Sequence, residues 1–163
     1  MSQERVIIIM GSSRDEESTV SIRSTLKKFE IPYELRVSSA HKTPQKLLNI
    51  LRDYESSKDK IVYITVAGRS NALSGFVDAN TRYPVIACPP QSERFSGGDI
   101  YSSLRMPSGV SPLVILEPEN AALAAAKILA LSNPTISGKI INYHQDAKNK
   151  IELDDEKLKR TID

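Results

Sequence analysis

Five short runs of apolar or β-branched residues punctuate the chain, at 6–10, 33–37, 61–66, 84–87 and 113–116. Between the early runs the period lengthens. Ile22, Leu26 and Phe29 recur at i, i+4 and i+7, and so do Leu47, Leu51 and Tyr54, which predicts a helix after each of the first two strands. Thr43 followed by Pro44 supplies an N-cap and a first-turn residue for the second helix. Strands alternating with helices imply βαβ units and a parallel sheet. A strand apolar at every position, such as "VIIIM", implies burial on both faces. The expected fold is a three-layer α/β/α domain, doubly wound in the flavodoxin-like manner, with a parallel sheet of about five strands.

The later chain changes character. Residues 120–131, "NAALAAAKILAL", form a helical segment with small side chains nearly all round, able to lie very close to a sheet or another helix. After Pro134 comes a second amphipathic stretch and then the charged end "IELDDEKLKRTID". Residues 134–163 are therefore read as a helical, charged tail, solvated or embracing a partner. With no repeat, low-complexity tract or linker in view, residues 1–163 are expected to form a single domain.

Composition narrows the classes. With 40% hydrophobic and 26% charged residues the chain reads as soluble and globular. A net charge of +2 and a pI near 8.6 are too mild to predict nucleic acid or a membrane surface as partner. No run approaches the ~18 apolar residues of a membrane span, and the first five residues lead straight into an apolar strand, unlike a signal peptide. One cysteine excludes an internal disulfide and fits a reducing cytoplasm. Two histidines and one cysteine leave little for a zinc site, so neither metal nor cofactor is expected.

In open parallel sheets ligands bind beyond the carboxyl ends of the strands. "GSSRD" (Gly11–Asp15) follows the first strand, "SSAHK" (Ser38–Lys42) the second, "AGRSNALSG" (Ala67–Gly75) the third and "CPPQSERFSGG" the fourth. These small, polar turns fall on one edge and can converge on one pocket. Gly11, Ser12 and Ser13 before a helix fit an anion cradle as well as an ordinary βα turn; neither the Walker A nor the dinucleotide spacing is present. His41, beside Ala40, fits a general acid or base, because an imidazole titrates near neutrality, and it equally fits a helix-entry residue bonded to backbone. Lys42 fits an anion-binding point charge or a solvated lysine. Arg69, near Asn71, either binds an anion or braces its loop. His144 reads as surface, and nothing near Cys88 argues for a thiolate nucleophile.

Taken in order, "MGSSRD", "SAHKTP", "AGRSNALSGF", "ACPP", "DIYSSLRMPSG" and "NAALAAAKI" resemble the phosphoribosylaminoimidazole carboxylase family of purine biosynthesis, over roughly residues 5–131. The resemblance implies that His41 transfers a proton and that Ser12, Asp15, Ser39, Lys42, Gly68 and Ser70 contact the nucleotide. It further implies that "MPSG", with Met106 and Pro107, closes over the imidazole. Arg14 departs from the family's "GSxSD", where serine is usual.

Two branches of the family are known. One moves a carboxylate from a carbamate nitrogen to a ring carbon and resembles "SAHRTP" with "AAHLPG". Here Lys42 replaces that arginine and Ala72 that histidine, a pattern similar to the class II enzymes. These carboxylate 5-aminoimidazole ribonucleotide with carbon dioxide directly, without ATP or biotin. The implied substrates are thus that nucleotide and carbon dioxide, with the mutase branch, or a nucleotide-sensing module lacking catalysis, as alternatives. The small-residue helix and the polar tail predict a homo-oligomer, and the resemblance implies a tetramer or octamer.

Overall fold

The structure is a computed structural model and describes residues 3–91 and 94–160. Its strands are β1 (Glu4–Met10), β2 (Tyr33–Val37), β3 (Lys60–Val66), β4 (Val85–Ala87) and β5 (Leu113–Val114). They form one five-stranded parallel sheet in the order β2-β1-β3-β4-β5. The helices are α1 (Val20–Lys28), α2 (Pro44–Glu55), α3 (Leu73–Asp78), α4 (Tyr101–Leu104), α5 (Pro118–Ala130) and α6 (Pro134–Arg160). The doubly wound expectation holds, and the order reverses direction between β1 and β3, where a crevice opens.

The two faces of β1 divide the core. Val6, Ile8 and Met10 pack with Ile22 and Leu26 of α1, with the alanines of α5, and with Ile136 and Ile140 of α6. Ile7 and Ile9 face the other way, against Leu47, Ile50 and Leu51 of α2 and Leu73 and Val77 of α3. All five β1 residues from Val6 to Met10 are at most 3% exposed. Alternation along a strand therefore builds two cores from one apolar run.

Two expectations need correction. Thr43 does precede α2, but its hydroxyl makes no cap hydrogen bond. It accepts from the Ser39 N–H at 2.9 Å and pairs with the Ser38 hydroxyl at 3.1 Å, so it ties the preceding turn together. Ser13 does not open a helix directly: short 3₁₀ turns at Ser13–Asp15 and Glu17–Thr19 intervene before α1. The helical tail is present as expected, one continuous helix of 27 residues that runs from the amphipathic stretch into the charged end as far as Arg160.

The small side chains of α5 are used inside the chain: Ala121, Ala122, Ala125 and Ala126 have no exposure. Apolar surface is left bare further on, at Leu131 (88% exposed), Ile151 (72%) and Leu158 (68%). At the amino edge of the sheet Arg5 bonds Glu34 at 2.7 Å and Lys60 bonds Glu4 at 3.1 Å, well away from the carboxyl-edge loops.

Ala125→Leu tests the close approach of α5. Three added carbons at a fully buried site have nowhere to go, so unfolding free energy should fall by ~1–3 kcal/mol, read by chemical denaturation.

Candidate active site

The register of the sheet brings three loops out together. Met10 stands opposite Val37 on one side and Val66 on the other. The ladder then continues into the loops: Gly11 N–H donates to the Val66 carbonyl at 3.0 Å, and Ser38 N–H to the Met10 carbonyl at 3.0 Å. A Cβ on Gly11 would stand 3.2 Å from that of Ala67. Glycine there lets the first and third loops close on each other.

Between these loops lies a cleft of about 590 Å³, lined by Gly11, Ser12, Arg14, Asp15, Ser39, Ala40, His41, Lys42, Gly68, Arg69 and Ser70 among others. Eleven of the residues singled out in the sequence are thus brought together. Ser13 is exposed outside the cleft. Asn71 lies behind it, and Met106 and Pro107 line a separate groove of about 420 Å³ beside α3. Met106 rests over Gly75, its sulfur 2.9 Å from where a Cβ on that residue would stand. Ala72, which stands where the mutase branch has histidine, completes the wall with Ala67, Leu73, Pro90, Gln91 and Asp99, five residues that were not singled out. Gln91 and Asp99 come from the long excursion after β4, whose path across the sheet edge carries no periodic signal.

The loops are braced by their own polar groups. The Ser39 hydroxyl accepts from the Lys42 N–H at 3.2 Å, and the Thr43 N–H donates to the Ser39 carbonyl at 2.9 Å, closing the turn that presents His41 and Lys42 to solvent. The Ser12 hydroxyl likewise accepts from Arg14 N–H at 3.2 Å. In the third loop buried Asn71 donates through its amide to Ser103 Oγ at 2.9 Å and accepts from the Leu73 N–H at 3.0 Å. Ser102 Oγ accepts from Asn71 N–H at 2.9 Å and donates to the Arg69 carbonyl at 3.0 Å and the Asp99 carbonyl at 2.7 Å. Asn71 is therefore spent on structure, and Arg69 is held in the left-handed region at φ 59°.

Electrostatics separate the candidates. Desolvation raises the Asp15 carboxyl above its ordinary value, against the Ser12 backbone hydrogen bond and the Arg69 guanidinium, which lower it. Cys88 is buried, and desolvation followed by the charge of Glu117 pushes its thiol up to about 12. It is thus a packing residue and not a nucleophile at neutral pH. His144 is half-buried on α6, its ring edge-on to Tyr143 at 5.8 Å, far in sequence from the cleft loops.

The family model described as AIR carboxylase matches residues 5–150. The phosphoribosylaminoimidazole carboxylase of Archaeoglobus fulgidus is 52% identical over 155 residues, covering 95% of this chain and 85% of that protein. The protein of that name from Treponema denticola is also 52% identical over 155 residues, with 95% and 98% covered. The crystal structure of Treponema denticola PurE superposes with a TM-score of 0.94 at 51% identity, covering 96% of this chain and 99% of that one. In the mouse bifunctional phosphoribosylaminoimidazole carboxylase/succinocarboxamide synthetase the match, at 44% identity over 139 residues, spans 33% of the protein.

A raised carboxyl pKa has a signed consequence. Between the unfolded and the folded value the native state holds more of the proton, so stability falls as pH rises through that window and the cost persists above it. Asp15→Asn should therefore raise the melting temperature of the unliganded protein at neutral pH, with the gain vanishing below the ordinary aspartate value of 3.8. Scanning fluorimetry across pH reads this; a lowered melting temperature at pH 7 would show that the carboxylate is stabilising.

Proposed function

The chain belongs to the AIR carboxylase family, and from that membership we propose that it carboxylates 5-aminoimidazole ribonucleotide with dissolved carbon dioxide, without ATP. Its activity is that of a phosphoribosylaminoimidazole carboxylase in purine biosynthesis, a carboxy-lyase. The observation that carries the finer reading is the cleft itself, in which a solvent-facing imidazole and three cations, Arg14, Lys42 and Arg69, meet hydroxyls and the half-buried Asp15.

The aminoimidazole is an enamine. Its ring carbon attacks carbon dioxide, forming the new C–C bond and leaving a non-aromatic ring with a carboxylate and a hydrogen on the same carbon. His41 removes that proton, and the electron pair of the C–H bond restores the aromatic ring. General base help of this kind contributes ~10²–10⁴-fold. Carbon dioxide is neutral and offers little to hold, so the phosphate and ribose supply the energy that orients the ring. Lys42 and Arg14, with Ser12 and Ser39, hold the phosphate; Asp15 takes a ribose hydroxyl; Gly68 and Ser70 line the wall against which the carboxylate forms. Met106 and Pro107 would need to leave their groove to cover the ring.

The choice of branch rests on Ala72, which lines the cleft where the mutase pattern has histidine, and on Lys42 in place of arginine. The mutase reading remains the rival. Residues 1–163 act as one domain in the cytoplasm, the compartment that suits a lone buried cysteine; no described helix is long and apolar enough to cross a membrane. The active form is a homo-oligomer, a tetramer or octamer, supported by bare Leu131, Ile151 and Leu158.

Three measurements check this reading. His41→Asn should keep nucleotide affinity and lose turnover by ~10²–10⁴-fold, whereas Lys42→Ala should weaken affinity in calorimetry; near-normal rates in the first remove His41 from the mechanism. Light scattering at micromolar concentration should show an assembly, and a lone 18.1 kDa species contradicts it. A reaction started with carbon dioxide should burst and then slow, one started with bicarbonate should lag, and carbonic anhydrase should abolish both transients. Faster conversion of fresh carbamate than of aminoimidazole ribonucleotide under saturating carbon dioxide would favour the mutase branch.

A further inference from the structure

Asp99 is the one wall residue of the cleft whose carboxylate the mechanism above leaves unused. Its side chain stands where the cleft meets an adjoining pocket of about 350 Å³ lined by Asn71, Pro89, Pro90, Ile100 and Leu116. Its Oδ2 is shut off from solvent and has no hydrogen-bond partner among the described residues. A buried carboxylate oxygen without a donor is costly. The backbone beneath it is fixed, because Ser102 Oγ binds the Asp99 carbonyl and the Arg69 carbonyl together. The terminal torsion of an aspartate is soft, so the carboxylate can re-aim with the backbone held.

A carboxylate accepts and cannot donate, so its partner is a donor on the ligand. The nucleotide of the proposed reaction offers the ribose hydroxyls and the exocyclic amine of the ring. The cations Arg14 and Lys42 sit on the loops after β1 and β2 with Asp15 beside them, and the guanidinium of Arg69, from the loop after β3, acts on that same Asp15. Asp99 follows β4, on the far side of β3. Phosphate and ribose held at the first end leave the ring amine for the other. We infer that Asp99 accepts a hydrogen bond from the exocyclic amine of the bound aminoimidazole. This contact does more than bind. As the ring carbon attacks carbon dioxide, electron density leaves the amine nitrogen, which becomes iminium-like. An adjacent carboxylate in a site shielded from water stabilises that charge more than it stabilises the neutral ground state. Asp99 thus orients the ring and favours the attacking form of the enamine.

The inference rests on the carboxylase reading, and its test compares two nucleotides with two variants. Calorimetry on the full chain would measure aminoimidazole ribonucleotide and the imidazole ribonucleotide that lacks the amine. Wild-type protein should hold the first on the order of 10- to 100-fold more tightly, and Asp99→Ala should bring the two affinities together by weakening only the first. Asp99→Asn, which keeps shape and an acceptor but loses the charge, should keep part of the preference and lose about 10²-fold in kcat. Melting temperatures of both variants confirm folding, and if the alanine variant does not fold, the asparagine variant alone decides through its kcat. Equal weakening of both nucleotides assigns Asp99 to the ribose or to loop structure and overturns the inference, as does unchanged kcat in Asp99→Asn. The affinity ratio is read without turnover, so a wild-type protein that prefers the amine but carboxylates nothing refutes the carboxylase reading and leaves the amine contact standing.

Discussion

Every feature of the cleft depends on β1 being enclosed on all sides. Val6–Met10 is paired to a parallel neighbour along both edges and packed by helices on both faces, with almost no surface left. A parallel strand must be reached by a crossover connection; the chain leaves β1 through α1 to β2 on one side, and leaves the neighbouring β3 through α3 to β4 on the other. Two loops consequently diverge at one point and leave a crevice between them. The shared register at Met10, Val37 and Val66 sets all three loops at one height, and Gly11 lets two of them touch. A polar residue or a bulge in β1 would therefore disturb the cleft through the sheet, without touching a ligand.

The loops divide labour between groups that hold the backbone and groups held in reserve. Ser38, Thr43, Asn71, Ser102 and Ser103 spend their polar atoms on the protein itself. The side chains of Arg14, His41, Lys42 and Ser70 are exposed, and none has a side-chain hydrogen bond among the described residues. Satisfied polar groups fix a loop's shape, while unsatisfied ones point at what the loop is shaped for. Asp15 and Asp99 belong to the second kind at a greater cost, being partly withdrawn from water.

The strands were legible to within a residue or two, because a strand buried on both faces leaves an apolar run no helix of that length would need. The catalytic-edge loops were legible for the same reason, since strand ends locate them. What escaped was whatever depended on the detailed geometry of a turn or on a contact remote in sequence. Thr43 read as a cap, yet its hydroxyl is taken by Ser38 and Ser39, a choice made by turn geometry. The alanines of α5 allowed a close approach to a sheet or another helix, and which ones they meet, the sheet, α1 and α6 of their own chain, came only with the fold. Met106 and Pro107, placed at the ligand by resemblance, lie against Gly75 and its helix. Asp99 gave no sign at all, for its position follows from the segment after β4 folding back onto Arg69 and Asn71 through one serine.

Charge along the cleft settles how a nearly featureless co-substrate can be used. Carbon dioxide has no charge and no strong hydrogen-bonding group, so any site that gripped it tightly would need interactions it cannot make. The alternative is to fix the other reactant. Arg14 and Lys42 after β1 and β2, with Arg69 of the third loop acting on Asp15 beside them, and the Asp99 carboxylate after β4 give the cleft a polarity. In the reading proposed above, that polarity suits a molecule with a phosphate at one end and an amine-bearing ring at the other. A nucleotide held so presents one ring carbon and one face, which converts a search over orientations into a search by a small diffusing molecule alone. Specificity is then set at the ends of the nucleotide and chemistry at its middle. In the same reading, Ser39 and Lys42, which would bind, and His41, which would move the proton, share one turn without competing for the same atoms.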